Sequence, residues 1–483
     1  MLRVIGNDQN LPRQEHAVAS GALTNGKPVI VNANGTVSTV SSNTVTQSFT
    51  TPVVYESGNT SSHAACYDTT NDKVVVAYDD EDNSNYGTAI VGTVSSGSIT
   101  FGSAAVFEQA SVDYVACDFD ANTGKVVIAY RDGGNSNYCT AIVGTVSGTS
   151  ISFGTPQVVE TTSSFYINVI QDSTNNKTVI AWQTSSATRA RVGTISGTSI
   201  SFGTAVTVKS ETSPSYLASC FDSTNSQILL SWRDASQDGR ASRGTVSDTS
   251  ISFSGEGEWE SGSVHTNQGM AHDPVNQKTA IFFRDSGNSN YGSGIVVTNT
   301  GSGSLTFGSK VVFNEGASYN INAVYDSTSG KILVVYRDGG NSSHGTFITS
   351  TISGTSISFD SETVFEAATS LDFGVADVAD EGVIFIGYKD NGNIGKGTAT
   401  LVTVGYTDEN LTSENYIGIA RSGVADTAKA IIDTQGAIAD NLSGLTAGQS
   451  YYVQNDGTLG TTADDPSVFA GTAVSATQLI VKG

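Results

Sequence analysis

The chain has 483 residues, enough for a large core or several domains, with 52 Gly, only 7 Pro and 14% charged residues. That profile predicts short strands joined by tight turns and excludes a collagen-like chain, whose glycines recur at every third residue. The formal net charge of −23 argues against broad contact with a nucleic-acid backbone, which needs clustered Lys and Arg.

The opening residues, Met1-Leu-Arg-Val-Ile-Gly-Asn-Asp8, are too polar for a signal peptide, so export by the ordinary secretory route is not expected. No stretch is apolar and long enough to cross a bilayer as a helix, so membrane insertion is not expected either. Val29-Ile-Val31 and Thr36-Val37 flank Asn34-Gly35, the pattern of a hairpin.

From residue 47 onward the chain repeats. An aspartate follows a short apolar stretch at Asp68, Asp120, Asp172, Asp222, Asp273, Asp326 and Asp377, at spacings of 52, 52, 50, 51, 53 and 51 residues. A second aspartate follows at Asp80, Asp132, Asp234, Asp285, Asp338 and Asp390; the third copy has Thr184 there. The second copy displays the unit: strands over 112–119, 125–131 and 138–146, then a broken strand over 151–160, separated by turns at 120–124, 132–137 and 147–150. Seven such units predict an all-β fold, a seven-bladed β-propeller of four-stranded antiparallel blades. The segment 47–56, QSFTTPVVYE, matches the last strand of a unit yet precedes the first full unit, and the seventh unit leaves the pattern after its third strand. Residues 47–56 are therefore expected to close the last blade. An open solenoid, the alternative, predicts distinct caps at both ends instead.

The boundaries that follow are an N-terminal β segment (1–45) pairing with the C-terminal domain, the propeller (46–404) and a C-terminal β domain (405–483), the two ends forming one small β domain. Residues 424–440 read as β or weakly helical, and Ser450-Tyr-Tyr-Val453, Asp456-Gly457 and Gln478-Leu-Ile-Val481 as short strands and a hairpin turn. Cys66, Cys117 and Cys220 fall at near-equivalent repeat positions and, with Cys139, read as buried small hydrophobes, not a disulfide framework.

Three patterns carry candidate chemistry. The pairs Arg131-Asp132, Arg233-Asp234, Arg284-Asp285, Arg337-Asp338 and Lys389-Asp390 end the second strand of five units. Their plain reading is structural: the Asp accepts turn amides and the Arg ties the turn to a neighbouring strand. The turns Asp80–Asn85 and Asp132–Asn137 are rich in oxygen ligands, which admits calcium without requiring any cofactor, and no EF-hand pattern is present. Tyr86, Tyr138, Tyr291 and His344 align after those turns, beside Asn85, Asn137 and Asn290; such aromatic–amide sets can bind sugars, and aromatic packing between blades is the competing explanation. Symmetry breaks in the third unit at Ala181–Thr188 and in the fifth at Trp259, His265, Met270 and His272. No paired-carboxylate, Gly-x-Ser-x-Gly or zinc-spaced histidine pattern stands out, so the chain reads as a binding or structural protein more than an enzyme.

Near the C-terminus, Asn415-Tyr-Ile-Gly-Ile-Ala420, Gly444-Leu-Thr-Ala-Gly-Gln-Ser-Tyr-Tyr-Val453, Asp456-Gly-Thr-Leu459 and residues 468–480, VFAGTAVSATQLI, resemble modules of tailed-bacteriophage fibres and other virion appendages, with marine phage structural proteins closest in style. The resemblance covers about 70 residues. It implies a tail-fibre or spike-like appendage on the virion exterior, acting in assembly and host attachment as an adhesin. It further implies homo-oligomeric assembly, other virion proteins as partners and a host-surface glycan as candidate ligand. A purely structural virion component and a polysaccharide-degrading tailspike are the alternatives.

Overall fold

The computed structural model describes residues 14–262 and 264–482; residues 1–13, and with them the opening segment read above, lie outside the described residues, as does the side chain of His265. The fold is all-β and strand-rich, with several sheets and no α-helix among the described residues. The described residues divide into two compact regions: residues 47–404, which hold the repeats, and a terminal region formed by 14–46 and 405–482.

Each repeat is an antiparallel set of four strands. In the second repeat, Val112–Asp120 pairs with Lys125–Asp132, which pairs with Tyr138–Ser147, which pairs with Ser150–Phe153 and Gln157–Ser163. Four connections between repeats are made without a break: Val53–Asp68, Ala105–Asp120, Val311–Asp326 and Thr363–Val378 each serve one repeat as outer strand and the next as inner strand.

The second strand explains the stacking. In Lys125–Asp132, residues Val126 to Tyr130 are all fully buried, so both faces of the strand need cover. Val126, Ile128 and Tyr130 pack with Val75 and Ala77 of the first repeat. Val127 and Ala129 pack with Ile180 and Trp182 of the third. The same alternation continues through five further cores, and the last of them joins Val383 and Phe385 of the seventh repeat to Val74, Val76 and Tyr78 of the first. Fully burying one such side chain is worth about 1.5–3 kcal/mol.

Residues 48–59 supply the outer strand of the seventh repeat. Ser48 and Phe49 pair with Thr403 and Val402, and Val53, Val54, Glu56 and Asn59 pair with Ala399, Thr398, Gly397 and Lys396. A side-chain contact repeats the equivalence. Tyr130 donates to Glu108 of the preceding outer strand (2.9 Å) and Tyr388 to Glu366 (3.1 Å); Tyr78 of the first repeat donates to Glu56 (3.2 Å).

The recurring first aspartates cap their own turns. Asp172, 1% exposed, accepts from Thr174 N (3.1 Å), Asn175 N (2.9 Å) and Asn175 Nδ2 (2.8 Å). Asp377 differs. Its carboxylate accepts from Ser327 N of the sixth repeat (3.2 Å), and its own turn is a short 3₁₀ segment, Ala379–Glu381.

In the terminal region, Gln14–Val18 pairs with Lys429–Asp433, and Pro28–Val31 with both Val37–Thr39 and Tyr416–Ala420. Residues 424–440 contain two strands, Lys429–Asp433 and Ile438–Ala439, and no helix. A second sheet holds Ile438–Ala439, Gln478–Val481, Val468–Ser475, Ser450–Val453 and Leu459–Gly460. A threefold recurrence runs through this region. Leu23, Val424 and Leu445 each precede by three residues a left-handed residue, Gly26 (φ 75°), Thr427 (62°) and Gly448 (81°); nine residues further on stand Gly35 (80°), Gly436 (84°) and Gly457 (73°). Glycine is required at Gly457 on a second count, because a Cβ there would lie 2.1 Å from Val40 O.

Replacing Asp172 with Ala leaves two turn amides without their buried acceptor. The expected loss is about 1–3 kcal/mol in urea-denaturation stability, against a near-neutral result for the exposed turn residue Asp456.

Candidate ligand-binding site

Inner strands of all seven repeats line two cavities of about 300 and 360 Å³ that share His63, Val115, Ile167, Asn168, Gln268 and Asn322. The mouth of the first is built by a repeated backbone irregularity. Each inner strand slips register near its start, at Ser61/Ala64, Asp113/Ala116, Phe165/Asn168, Ser215/Ala218, His265/Gly269, Tyr319/Asn322 and Leu371/Gly374. Inside six of these bulges sits a non-glycine residue with left-handed backbone: Ser62 (φ 53°), Tyr114 (50°), Tyr166 (48°), Tyr216 (57°), Asn320 (49°) and Asp372 (52°). Such residues cost about 1–3 kcal/mol each and cluster at ligand sites.

The mouth has two unlike sides. Tyr114, Tyr166 and Tyr216, from consecutive repeats, form a chain of half-buried rings at centroid distances of 5.1 and 5.3 Å. Facing the same cavity are Asn320, Asn322, Asp372, Ser62 and His63. Asn320 Nδ2 donates to Asp372 Oδ1 (3.1 Å), and Asn322 Nδ2 to Phe373 O (2.9 Å). His63 Nδ1 donates to Asp372 O (2.9 Å). Burial lowers the His63 pKa to about 4, so the ring is neutral at neutral pH. Gln268, 7% exposed, accepts from Ser231 Oγ (2.6 Å), while its buried Nε2, on the cavity wall, donates to no acceptor among the described residues.

Behind the bulges lie the ends of the second strands. Arg131 Cζ is 5.8 Å from the Tyr114 ring centroid and 5.2 Å from that of Phe165 in the next repeat. Arg233 stands over Tyr216 at 5.8 Å, and Arg284 and Arg337 over Tyr319 at 4.5 and 4.3 Å. Lys389 Nζ bonds Glu81 Oε1 at 3.0 Å. The partner aspartates turn away to their own loops: Asp338 accepts from Gly340 N (2.9 Å), Asp390 from Asn393 N (3.2 Å), Asp285 from Asn288 N (3.1 Å) and Asp234 from Ser236 N (2.8 Å). Amides of Gly134 and Asn135 bond Asp132 likewise.

Asn85, Asn137 and Asn290 adopt left-handed backbone, and their carbonyls accept from the first amide of the next inner strand: Val112 N (3.1 Å), Ser164 N (3.0 Å) and Ser318 N (3.2 Å). Arg131 Nε and Arg284 Nε further engage Asn137 Oδ1 (3.1 Å) and Asn290 Oδ1 (2.9 Å). Tyr86, Tyr138, Tyr291 and His344 start the third strands, opposite Asp80, Asp132, Asp285 and Asp338, one in each of four separate repeats. None of these seven residues lines the shared cavities. The mouth residues have a signal of their own: Ser62, Tyr114, Tyr166, Tyr216 and Asn320 all stand six residues before the first aspartate of the repeat. Among the described residues no group of three or more His, Cys, Asp or Glu is arranged to hold a metal ion.

Repeat one carries Asp79 where the other repeats place Arg131, Gln183, Arg233, Arg284, Arg337 and Lys389. It is 4% exposed; Ser61 Oγ donates to its Oδ2 (3.1 Å), and its Oδ1 has no donor among the described residues. Burial raises its pKa to about 7.

No family model matches the chain, and no curated protein matches it. Solved structures similar to this chain include a protein of unknown function from Dyadobacter fermentans (10% identity, 75% of this chain and 99% of that one, TM-score 0.45). Others are the β-propeller domain of Myceliophteria thermophila Cps50 (Swd1) (9%, 74% and 100%, 0.48) and a protein from Lactobacillus plantarum (11%, 74% and 97%, 0.46).

Between its ordinary value of 3.8 and about 7, native Asp79 holds a proton that the unfolded chain has released, so stability falls as pH rises through that window. Asp79→Asn removes this dependence. The variant is expected to melt about 1–3 °C above the parent at pH 8, with the gain shrinking at pH 5; an equal gain at both pH values would contradict the raised pKa.

Proposed function

We propose that the seven repeats form a closed seven-bladed β-propeller, and that the protein is a virion appendage component that attaches to host-surface glycan through the mouth of the central cavity. The observation that carries the binding role is the pairing of Tyr114 and Tyr166, whose chain of rings Tyr216 extends, with an amide and carboxylate arc, Asn320 and Asp372, around one cavity. Aromatic faces stack on the C–H face of a sugar ring, and amides and carboxylates take its hydroxyls. Left-handed backbone at these positions turns the side chains to the cavity without help from any ligand, so the site is preorganised. The propeller reading is supported by the seven inter-repeat cores, which run in cyclic order, and by the pairing of residues 48–59 with the seventh repeat. The virion role rests on the fibre-like C-terminal module, to which we assign assembly with other virion proteins and with further copies of the chain.

Ring closure predicts that amides 53–56 exchange with solvent as slowly as the equivalent amides 105–108. Early exchange confined to 53–56 would favour an open array. For the binding role, Tyr166→Asn removes a ring while keeping a residue that tolerates left-handed backbone. Binding to intact host cells should weaken about tenfold, or ~1.4 kcal/mol, and removal of the surface polysaccharide should abolish it. Folded parent protein that ignores every plausible host would instead mark a purely structural virion component.

A further inference from the structure

We propose that the glycan taken at this mouth is anionic, its carboxylate or sulfate groups held by Arg233, Arg284 and Arg337. The inference rests on the glycan-binding reading above and names the ligand's charge.

The chain has 46 acidic and 23 basic residues, and four of its nine described arginines meet a carboxylate. Arg240 bridges Asp234, Asp238 and Glu258; Arg189 bonds Glu160, Arg421 bonds Asp433, and Arg131 lies 3.8 Å from Asp113. Arg191 gives its donors to the carbonyls of Gly203 and Val159, and Arg243 points at Asn299. Arg233, Arg284 and Arg337 share a different arrangement, each standing over a tyrosine ring. Among the described residues, none of them has a carboxylate within ion-pair distance. The buried Nε of Arg233 and of Arg337 has no acceptor among the described residues, whereas Arg284 Nε donates to Asn290 Oδ1 (2.9 Å).

These three come from consecutive repeats, at one register position, next to the mouth bulges. Tyrosine faces hold them: Tyr216 lies beside Arg233, and Tyr319 beside both Arg284 and Arg337. A ring face fixes a guanidinium without neutralising it and leaves its N–H edge for a forked anion. The aspartates that follow these arginines are engaged by turn amides, and Asp285 also by Lys310 (2.6 Å), so they do not supply the missing counter-charge. At the same register position repeat one carries the buried Asp79, and Lys389 is paired with Glu81. The cationic arc is therefore confined to repeats four to six. A neutral sugar would leave the cationic arc uncompensated. An acidic one would be drawn to it and oriented by it.

The test is calorimetric titration of the full chain with oligogalacturonate and with its neutral methyl ester, which share a backbone, and with dextran sulfate against dextran. The expected result is at least tenfold tighter binding of one acidic polymer than of its neutral counterpart, weakening steeply with salt. Arg284→Gln/Arg337→Gln should bring that ratio close to one and change neutral binding less than twofold, whereas Tyr166→Asn should lower both. Equal affinity for acidic and neutral forms overturns the charge inference and leaves glycan binding intact; failure of all four polymers to bind overturns both. The comparison on the unaltered protein decides the matter even where the double variant does not fold.

Discussion

The structure of the repeat region depends on one constraint: its second strands are apolar on both faces. A strand such as Lys125–Asp132 carries Val127 and Ala129 on one side and Val126, Ile128 and Tyr130 on the other, and all five are fully buried. No single four-stranded sheet can cover both faces of its own strand. Each repeat must therefore be sandwiched, and a repeat at an open end would leave an apolar face in water. The seventh core removes that exposed end by setting Val383 and Phe385 against Val74 and Val76. Residues 48–59 complete the seventh sheet from a point earlier in the chain, so that both ends of the repeat region are tied within one sheet.

The same arrangement produces the mouth. Inner strands are crowded near the centre, and each inserts a bulge where it enters. In six repeats the bulge holds one left-handed residue, and the backbone there is identical in kind whether the residue is Ser62, Tyr114 or Asp372. Chemistry at the rim can therefore vary from repeat to repeat without disturbing the scaffold. The repeated Arg of the second strand then acts in two ways, depending on what lies near it. At Arg131 it meets Asp113 and Asn137 and is a structural tie; at Arg233 and Arg337 it stands over a tyrosine ring.

Much of the architecture was legible because the repeat is written in turn chemistry. The first aspartates mark hairpins whose amides they accept, and QSFTTPVVYE was recognisable as an outer strand because its Glu56 occupies the place of Glu108. The site was harder to see. Tyr86, Tyr138 and Tyr291 are prominent in sequence because they follow conspicuous polar turns; they lie one per repeat and line neither of the two shared cavities. Tyr114, Tyr166 and Tyr216 are embedded in ordinary β-prone text; the structure sets their rings in one chain and places the first two on one cavity. The terminal recurrence was hidden for a related reason: its three copies share left-handed positions at Gly26, Thr427 and Gly448 but little side-chain identity, and a backbone angle has no letter of its own.

By itself the sequence determined the all-β class, the sevenfold period, the turn positions and the supply of a seventh outer strand from residues before the first repeat. These follow from local rules: side-chain alternation sets strands, and Asn, Asp and Gly set turns. Tertiary structure alone decided which residues meet. The neutral buried His63, the buried Asp79, the tyrosine chain and the ring-stacked arginines depend on residues apart in the chain, from Ser61 beside Asp79 to Asp372 beside His63. Their burial and charge balance come into being only when consecutive repeats stack.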